Sequence, residues 1–157
     1  MRVTIKSAAA AVLGLALSFG SVAAGETVSY TGSGTYTAHK LTMTLGGGDI
    51  VFTGWNEGIA TISTDPPTLL YGKCMALGIV SGDSDEGDFS NNVYCTFRAN
   101  DEDSFDIKAQ SDAKGGAGEV IGGGGRWAGA TGTVRMTRTS QNENSGTYEF
   151  ELEITTP

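Results

Sequence analysis

The stretch GTYEFELEIT, residues 146–155, alternates strictly between apolar and acidic side chains over most of its length. A period of two places every second side chain on the same face of a β-strand. One face then carries Tyr148, Phe150, Leu152 and Ile154, and the other carries Glu149, Glu151 and Glu153. The pattern predicts a strand whose apolar face packs on a core and whose glutamates point into water.

The same alternation recurs upstream. SFDIKAQ, residues 104–110, places Phe105, Ile107 and Ala109 opposite Asp106, Lys108 and Gln110. TVRMTR, residues 133–138, places Val134 and Met136 opposite Arg135 and Thr137. ETVSYTGSGTYTAHK, residues 26–40, aligns Tyr30, Gly32, Gly34 and Tyr36 on one face. Each of these stretches predicts a half-buried strand.

Other stretches are less regular. DIVFTGW and GIATIST flank Asn56 and Glu57, and this placement favours a turn or bulge between two short strands. TLLYGKCMALGIV, residues 68–80, is the most apolar stretch and predicts a central strand. NNVYCTFRA leads into the polar stretch NDEDS, residues 100–104, which predicts a hairpin turn. The total is about eight strands, with no convincing helix.

Eight antiparallel strands in one sheet would leave two unpaired edges that invite aggregation. Closure removes both edges, and a closed barrel of eight strands is filled by its side chains or holds one small ligand. Glycines within strands suit the strong coiling that closure needs. The fold class expected from the residues is therefore all-β, a closed eight-stranded antiparallel barrel with a polar, acidic exterior.

The N-terminus predicts export. Arg2 and Lys6 precede an apolar, alanine-rich run that ends in VAA, a pattern typical of a secretory signal peptide. Cleavage is predicted after Ala24, with Ala23 as the alternative. The domain organisation is then a signal peptide at 1–24 and one barrel domain at 25–157. The predicted location is periplasmic or extracellular.

Charge narrows the set of partners. The whole chain has a net charge of −8, and removal of two basic residues with the signal gives 8 − 18 = −10 for the mature part. An acidic surface repels nucleic acid and anionic lipid. We therefore expect neither nucleic acid binding nor membrane insertion. No cofactor is expected either.

Cys74 and Cys95 are the two cysteines. In an exported chain a disulfide is the default expectation, and it would stabilise the fold by roughly 3 kcal/mol in the chain-entropy model. A redox or metal-binding pair is the weaker alternative, because the spacing is not CxxC and His39 is the only histidine. A lone histidine cannot complete a zinc site, so His39 is expected on the surface.

The glycine run at 122–125 raises the question of phosphate binding. A Walker loop needs a lysine after its last glycine, yet Ala130 follows Gly129. The dinucleotide pattern is matched only as Gly123, Gly125 and Ala128, and the following residues predict a strand where a helix is required. We therefore expect a glycine hairpin that delivers Trp127 as a core plug or, alternatively, as a wall for ligand stacking.

This segment, GGGGRWAGATGTVRM at residues 122–136, resembles the glycine–basic–aromatic–AGATG segment found late in allene oxide cyclase barrel-like and dirigent-like proteins. The likeness is looser across the strand pattern from Thr27 to Thr155. It implies a calycin-like, allene oxide cyclase-like barrel that is often oligomeric and can hold an apolar small molecule. Members include plant isomerases and cyclases, proteins that steer radical coupling, and exported bacterial proteins of unknown role. This chain resembles the last group most.

The candidate ligand-binding residues are the inward-facing aromatic side chains. They are Tyr30, Tyr36, Phe52, Phe105, Trp127, Tyr148 and Phe150. The alternative is that these side chains simply fill the barrel. No catalytic residue can be assigned, because the carboxylates on predicted strands should point outward and a buried, unpaired carboxylate is costly.

The acidic stretch SGDSDEGDFSNN resembles the start of a calcium-binding loop. Counted from Asp83, the sixth and twelfth positions are Asp88 and Tyr94, where an EF-hand needs glycine and glutamate. A solvated acidic loop is the expected structure, with an irregular calcium site as the alternative. The same holds for NDEDS, and no metal site is expected.

Three functions follow. The first is a non-catalytic exported barrel that binds a small apolar ligand or a protein, with a homo-oligomer as one form of protein partner. The second is an isomerase or cyclase, which requires an acid or a tyrosine hydroxyl facing a cavity with a perturbed pKa. The third is a small outer-membrane barrel, which short strands and high net charge disfavour.

Overall fold

The computed structural model describes residues 25–81 and 89–157. The predicted signal peptide and residues 82–88 of the acidic stretch, including Asp83, Asp85 and Asp88, lie outside the described residues. The last four residues of that stretch belong to a strand and not to a loop. Within the described ranges no helix is long and apolar enough to cross a bilayer.

Eight strands form a single sheet that closes on itself. They are β1 (Glu26–Thr44), β2 (Ile50–Ile62), β3 (Thr68–Val80), β4 (Phe89–Arg98), β5 (Ser104–Ser111), β6 (Gly115–Gly124), β7 (Thr131–Gln141) and β8 (Ser145–Thr156). Each strand pairs antiparallel with the next, and β8 pairs antiparallel with β1. The predicted closed, eight-stranded antiparallel barrel is confirmed.

The predicted number of eight strands is correct only because two errors cancel. One strand was divided into two, and another strand was missed. β2 runs unbroken through Asn56 and Glu57, because Asn56 pairs with Cys74 and Glu57 pairs with Lys73 on β3. The strand that the sequence did not reveal is β6, where seven of ten residues, GGAGEVIGGG, are glycine or alanine and show no clear period. The predicted glycine hairpin is in fact the end of β6 followed by a 3₁₀ turn, Gly125–Trp127.

The strands contain 8 to 19 residues, so the expectation of short strands was also wrong. β3 is not a central strand, since a closed barrel has none. The residues after Gly129 do form a strand, β7, as predicted, and no helix begins there. The turn predicted at NDEDS joins β4 to β5, and Asp103 lies at its end.

The predicted disulfide is confirmed. Cys74 on β3 and Cys95 on β4 are direct cross-strand partners, and their sulfurs are joined at 2.08 Å. Cys95 packs against the buried core. A disulfide in this position fits an oxidising environment.

The core fills one end of the barrel. Its most completely buried side chains are Phe105, Ile62, Leu70 and Leu152. Trp127, 3 % exposed, meets the ring of Phe105 edge-on with centroids 5.1 Å apart. Trp127 therefore closes this end of the barrel, as expected for a plug.

Interior rings lie opposite glycines on neighbouring strands. In five direct cross-strand pairs the ring covers the glycine: Gly32–Phe150, Gly34–Tyr148, Gly146–Tyr36, Gly72–Phe97 and Gly78–Phe52. A Cβ added at any of these glycines would overlap the ring opposite it. The glycines thus provide space for aromatic side chains, in addition to the coiling inferred from sequence.

The exterior has two different sides. Glu149, Glu151 and Glu153 on β8 are exposed, as predicted, and Asp106 faces out from β5, where its carboxylate accepts a hydrogen bond from Thr96 Oγ1 at 2.7 Å. The outer surface of β1–β4, however, carries many exposed apolar side chains. The expectation of an acidic exterior holds for one side only.

Candidate functional site

The barrel interior contains two separate spaces. The first is an enclosed cavity of about 70 Å³ whose lining includes Phe105, Tyr148, Phe150 and Leu152. Its walls are almost wholly apolar, and sites for drug-sized ligands have volumes of about 300–1,000 Å³. This cavity is a packing void next to the core, too small for a ligand of that class.

The second space is an open pocket of about 270 Å³ at the opposite end from Trp127. We call it the mouth pocket. It lies where β2 begins and where β1, β3 and β7 end. Its apolar walls include Tyr36, Ile50, Phe52, Ala76 and Val80. Its volume is close to the lower bound for ligand sites, about 300 Å³, and fits a compact molecule.

Two asparagine side chains supply polar groups deep in the mouth pocket. Asn91 on β4 is 8 % exposed, and its Oδ1 accepts a hydrogen bond from Ser111 Oγ at 2.5 Å. Asn56 on β2 is half-buried and faces the interior beside Phe52. Both asparagines line the pocket, and among the described residues no buried side-chain polar atom lacks a partner. A few such groups on apolar walls are what fixes the orientation of a bound molecule.

Basic side chains stand at the rim. Arg138 near the end of β7 donates from Nη1 to the backbone carbonyls of Asp112 and Ala113, each at 2.9 Å. These bonds hold the guanidinium at the pocket, and Lys40 lies on the rim as well. Glu143, in the exposed turn between β7 and β8, is the one carboxylate among the described residues that line this pocket.

The seven aromatic residues predicted to line one site do not share a cavity. Phe105, Tyr148 and Phe150 line the enclosed cavity, whereas Tyr36 and Phe52 line the mouth pocket. Tyr30 packs against the core cluster, and Trp127 closes the far end. The structure therefore distributes these side chains over different spaces, and their part in ligand binding stays a prediction.

Sequence reasoning missed Asn56, Asn91 and Arg138. The sequence favoured a turn or bulge at Asn56, and no role was assigned to Asn91 or Arg138. One usable signal existed for Arg138, since a period of two places it on the same face as Val134 and Met136. His39 is exposed, as predicted, and stacks on Trp55 with ring centroids 4.9 Å apart.

The interior offers one titratable group with a strongly altered pKa. Burial raises the pKa of Tyr148 from 10.0 to about 12. The hydroxyl therefore stays protonated at physiological pH, so it can donate a hydrogen bond but is a poor source of a base. No carboxylate among the described residues lines the enclosed cavity, and those residues contain no cluster suited to a metal ion.

Comparisons with known proteins identify the fold. No protein-family model matches the chain, and no curated protein matches it. A solved structure of a protein with unknown function from the DUF3224 family of Shewanella oneidensis MR-1 is 17 % identical, with a TM-score of 0.53. The match covers 84 % of this chain and 99 % of that one.

A second solved structure is that of a pterocarpan synthase dirigent protein. It is 14 % identical, with a TM-score of 0.56 and 97 % of each chain covered. At these identities the likeness shows the fold alone. The barrel is thus similar to that of a dirigent protein, as the segment at 122–136 suggested, while the likeness to allene oxide cyclases stays a prediction.

Proposed function

We propose that this protein is an exported, non-catalytic binding protein that takes a compact, mostly apolar molecule into the mouth pocket. The observation that carries this proposal is the pocket's composition, in which Asn56 and Asn91 interrupt walls formed by Phe52, Ala76 and Val80. Such a pocket buries an apolar body while a few amides select a polar group on it. The N-terminal signal pattern and the disulfide support export.

The rim defines the polar group further. Among the described residues that line the pocket, Arg138 and Lys40 face one carboxylate, that of Glu143. A ligand with a carbonyl or an acidic group near its apolar body would gain from this balance, because charge-assisted hydrogen bonds are stronger than neutral ones. A cationic ligand would gain less.

An isomerase or cyclase is the second candidate function. Tyr148, whose pKa is raised, lines a cavity, and a tyrosine with a perturbed pKa at a cavity is one feature that such an enzyme requires. That cavity, however, has a volume of about 70 Å³ and lacks a second titratable group among the described residues. The named activity of the dirigent neighbour does not transfer at 14 % identity. Binding without catalysis is therefore the better-supported function.

The experiment is native mass spectrometry of the protein purified from its own host, compared with two alanine-to-leucine variants. Ala76→Leu narrows the mouth pocket, whereas Ala117→Leu adds the same atoms on the exposed surface of β6. We expect a bound small molecule in the wild type and in Ala117→Leu, and its loss in Ala76→Leu.

A parallel titration covers the case of a ligand lost in purification. In the wild type, octanoate, an eight-carbon carboxylate, should shift the amide NMR signals of residues around Asn56 and Asn91. The signals of other residues should be only weakly perturbed. If no molecule is retained and octanoate moves no signal around the mouth pocket, the proposal is wrong. Retention that survives Ala76→Leu would also contradict it.

A further inference from the structure

A groove crosses the outer surface of the barrel on β1 and its neighbours β2 and β8. We call it the outer groove. Its volume is about 530 Å³, which lies within the range of ligand sites, about 300–1,000 Å³. It shares Tyr36, Asn142 and Ser145 with the mouth pocket, whereas its other described lining residues do not line that pocket. The outer groove is thus a second surface, which the proposed function does not use.

The middle of the outer groove stays open because β1 contributes small side chains to it. Thr35 and Thr37 are the outward residues of β1 here, and both are exposed. Gly58 on β2 and Gly146 on β8 flank Tyr36 as its direct partners and belong to the lining. The strand backbones therefore form much of the floor, and a ligand can reach them.

Hydroxyl groups form a row along this part of β1. Every outward residue of the strand from position 27 to position 37 carries one, and all six are exposed: Thr27, Ser29, Thr31, Ser33, Thr35 and Thr37. A hydroxyl both donates and accepts hydrogen bonds. On the β8 side of the outer groove, Ser145 and Thr147 add two more hydroxyls. The row therefore suits a ligand that itself carries many hydroxyls.

The hydroxyl row continues into a second groove, of about 540 Å³, along the same strand. Thr31 and Ser33 line this groove, together with Thr61 on β2. From residue 31 to residue 37 a strand extends about 20 Å, since each residue rises about 3.4 Å. The two grooves together therefore suit an elongated molecule that lies along β1.

An exposed aromatic ring stands at the β3 side of the outer groove. Tyr71 is 47 % exposed, and its hydroxyl donates a hydrogen bond to Glu57 Oε2 at 3.1 Å. This bond holds the ring in place, so less side-chain freedom is lost when a ligand binds. The C–H face of a sugar ring packs on an aromatic ring, and the half-buried Glu57 carboxylate accepts hydrogen bonds from hydroxyls.

The charged side chains favour a neutral ligand. Among the described residues that line the two grooves, three are carboxylates and one is a cation; they are Glu57, Glu149, Glu151 and Arg135. Hydrogen bonds from hydroxyls to carboxylates are stronger than those between neutral groups. An anionic ligand would be repelled. A protein partner fits less well, because the centres of protein interfaces are poor in charged residues and serine.

We propose that the outer groove binds a neutral oligosaccharide. One sugar ring packs on Tyr71, and hydroxyls of the chain bond to Glu57 and to the hydroxyl row of β1. This inference goes beyond the proposed function, since the grooves lie on the outside of the barrel and the ligand is a polar molecule.

The test is isothermal titration calorimetry of the protein purified from its own host, with cellohexaose, maltohexaose and xylohexaose as neutral probes and hexagalacturonate as the anionic one. Tyr71→Ala has a matched control in Tyr94→Ala, because Tyr94 is 53 % exposed and lines neither groove. We expect the wild type and Tyr94→Ala to bind at least one neutral hexasaccharide with equal affinity. Tyr71→Ala should bind it at least tenfold more weakly.

A second variant tests the hydroxyl row. Thr37→Val keeps a β-branched side chain and removes the hydroxyl, and it should weaken binding several-fold. Octanoate should still shift the signals around Asn56 in Tyr71→Ala, so failure at the outer groove can be distinguished from failure at the mouth pocket. The proposal is overturned if the wild type binds none of the neutral probes, if it binds hexagalacturonate equally well, or if the two alanine variants behave alike.

Discussion

The ring of Phe150 on β8 occupies the space above Gly32, its direct partner on β1. A Cβ at Gly32 would overlap both this ring and the backbone carbonyl of Thr61. Phe150 is only 9 % exposed, so its ring has little freedom to move aside. The pair therefore leaves no room for a larger residue at position 32, where β8 meets β1.

Gly32→Ala should destabilise the protein by about 1–3 kcal/mol, since overpacking forces side chains from their rotamers or shifts the backbone. The measurement is the free energy of unfolding from urea titration. Gly46→Ala is the control, because a Cβ at Gly46 has no atom within 4 Å and the residue lies in the turn between β1 and β2. That change should be close to neutral or slightly stabilising. Equal effects at the two positions would refute the role assigned to the ring.

Tyr148→Phe should remove part of the loss of stability at alkaline pH. Because the pKa is about 12 in the folded state and 10.0 ordinarily, the stabilising effect is complete below pH 10 and is lost as the pH rises towards 12. The difference between these two pKa values corresponds to roughly 3 kcal/mol of unfolding free energy. Unfolding free energies measured across this window should fall less steeply in Tyr148→Phe than in wild type. Identical slopes for Tyr148→Phe and wild type would contradict the assignment.

Asp103→Asn should weaken the turn that carries Trp127. The carboxylate accepts hydrogen bonds from the Arg126 backbone N–H at 2.9 Å and from Asn100 Nδ2 at 3.0 Å, and these bonds lower the pKa of Asp103 below 3.8. Their contribution is present above pH 3.8 and is lost as the pH falls through the lowered value. The variant should therefore unfold at lower urea than wild type near neutral pH, and the two midpoints should converge in acid.

Asp101→Asn, a change at an exposed neighbour, is the control and should leave the urea midpoint at neutral pH unchanged. If the urea midpoints of Asp103→Asn and wild type differ as much in acid as at neutral pH, the charge of Asp103 is not what stabilises the turn. Near-ultraviolet circular dichroism would report whether Trp127 keeps its ordered environment.

Much of the barrel could be predicted because alternation is a local signal. β5, β7 and β8 each display a period of two that survives in any context, and Cys74 and Cys95 needed only a compartment argument. β6 escaped because glycine has no side chain with which to show a period. The break expected at Asn56 and Glu57 failed because cross-strand pairing with β3 outweighed the local turn preference.

The pocket was harder to predict for a physical reason. Asn56, Asn91 and Arg138 become neighbours only when strands distant in sequence close the barrel, and polar side chains are usually assigned to the surface. The exposed apolar outer surface of β1–β4 was hidden in a similar way. β3 is apolar on both faces, so its sequence cannot tell which face is covered by the barrel and which is exposed.

The glycine–aromatic pairs also select one register of β8 on β1 during folding. If β8 slid along β1 by two residues, Phe150 would face Tyr30 or Gly34 and Tyr148 would face Gly32 or Tyr36, so that at least one bulky pair would collide in the narrow interior. Only the native alignment of these two strands places Phe150, Tyr148 and Tyr36 each opposite a glycine. Changes at these glycines should thus alter which arrangement the chain selects as well as how long it persists.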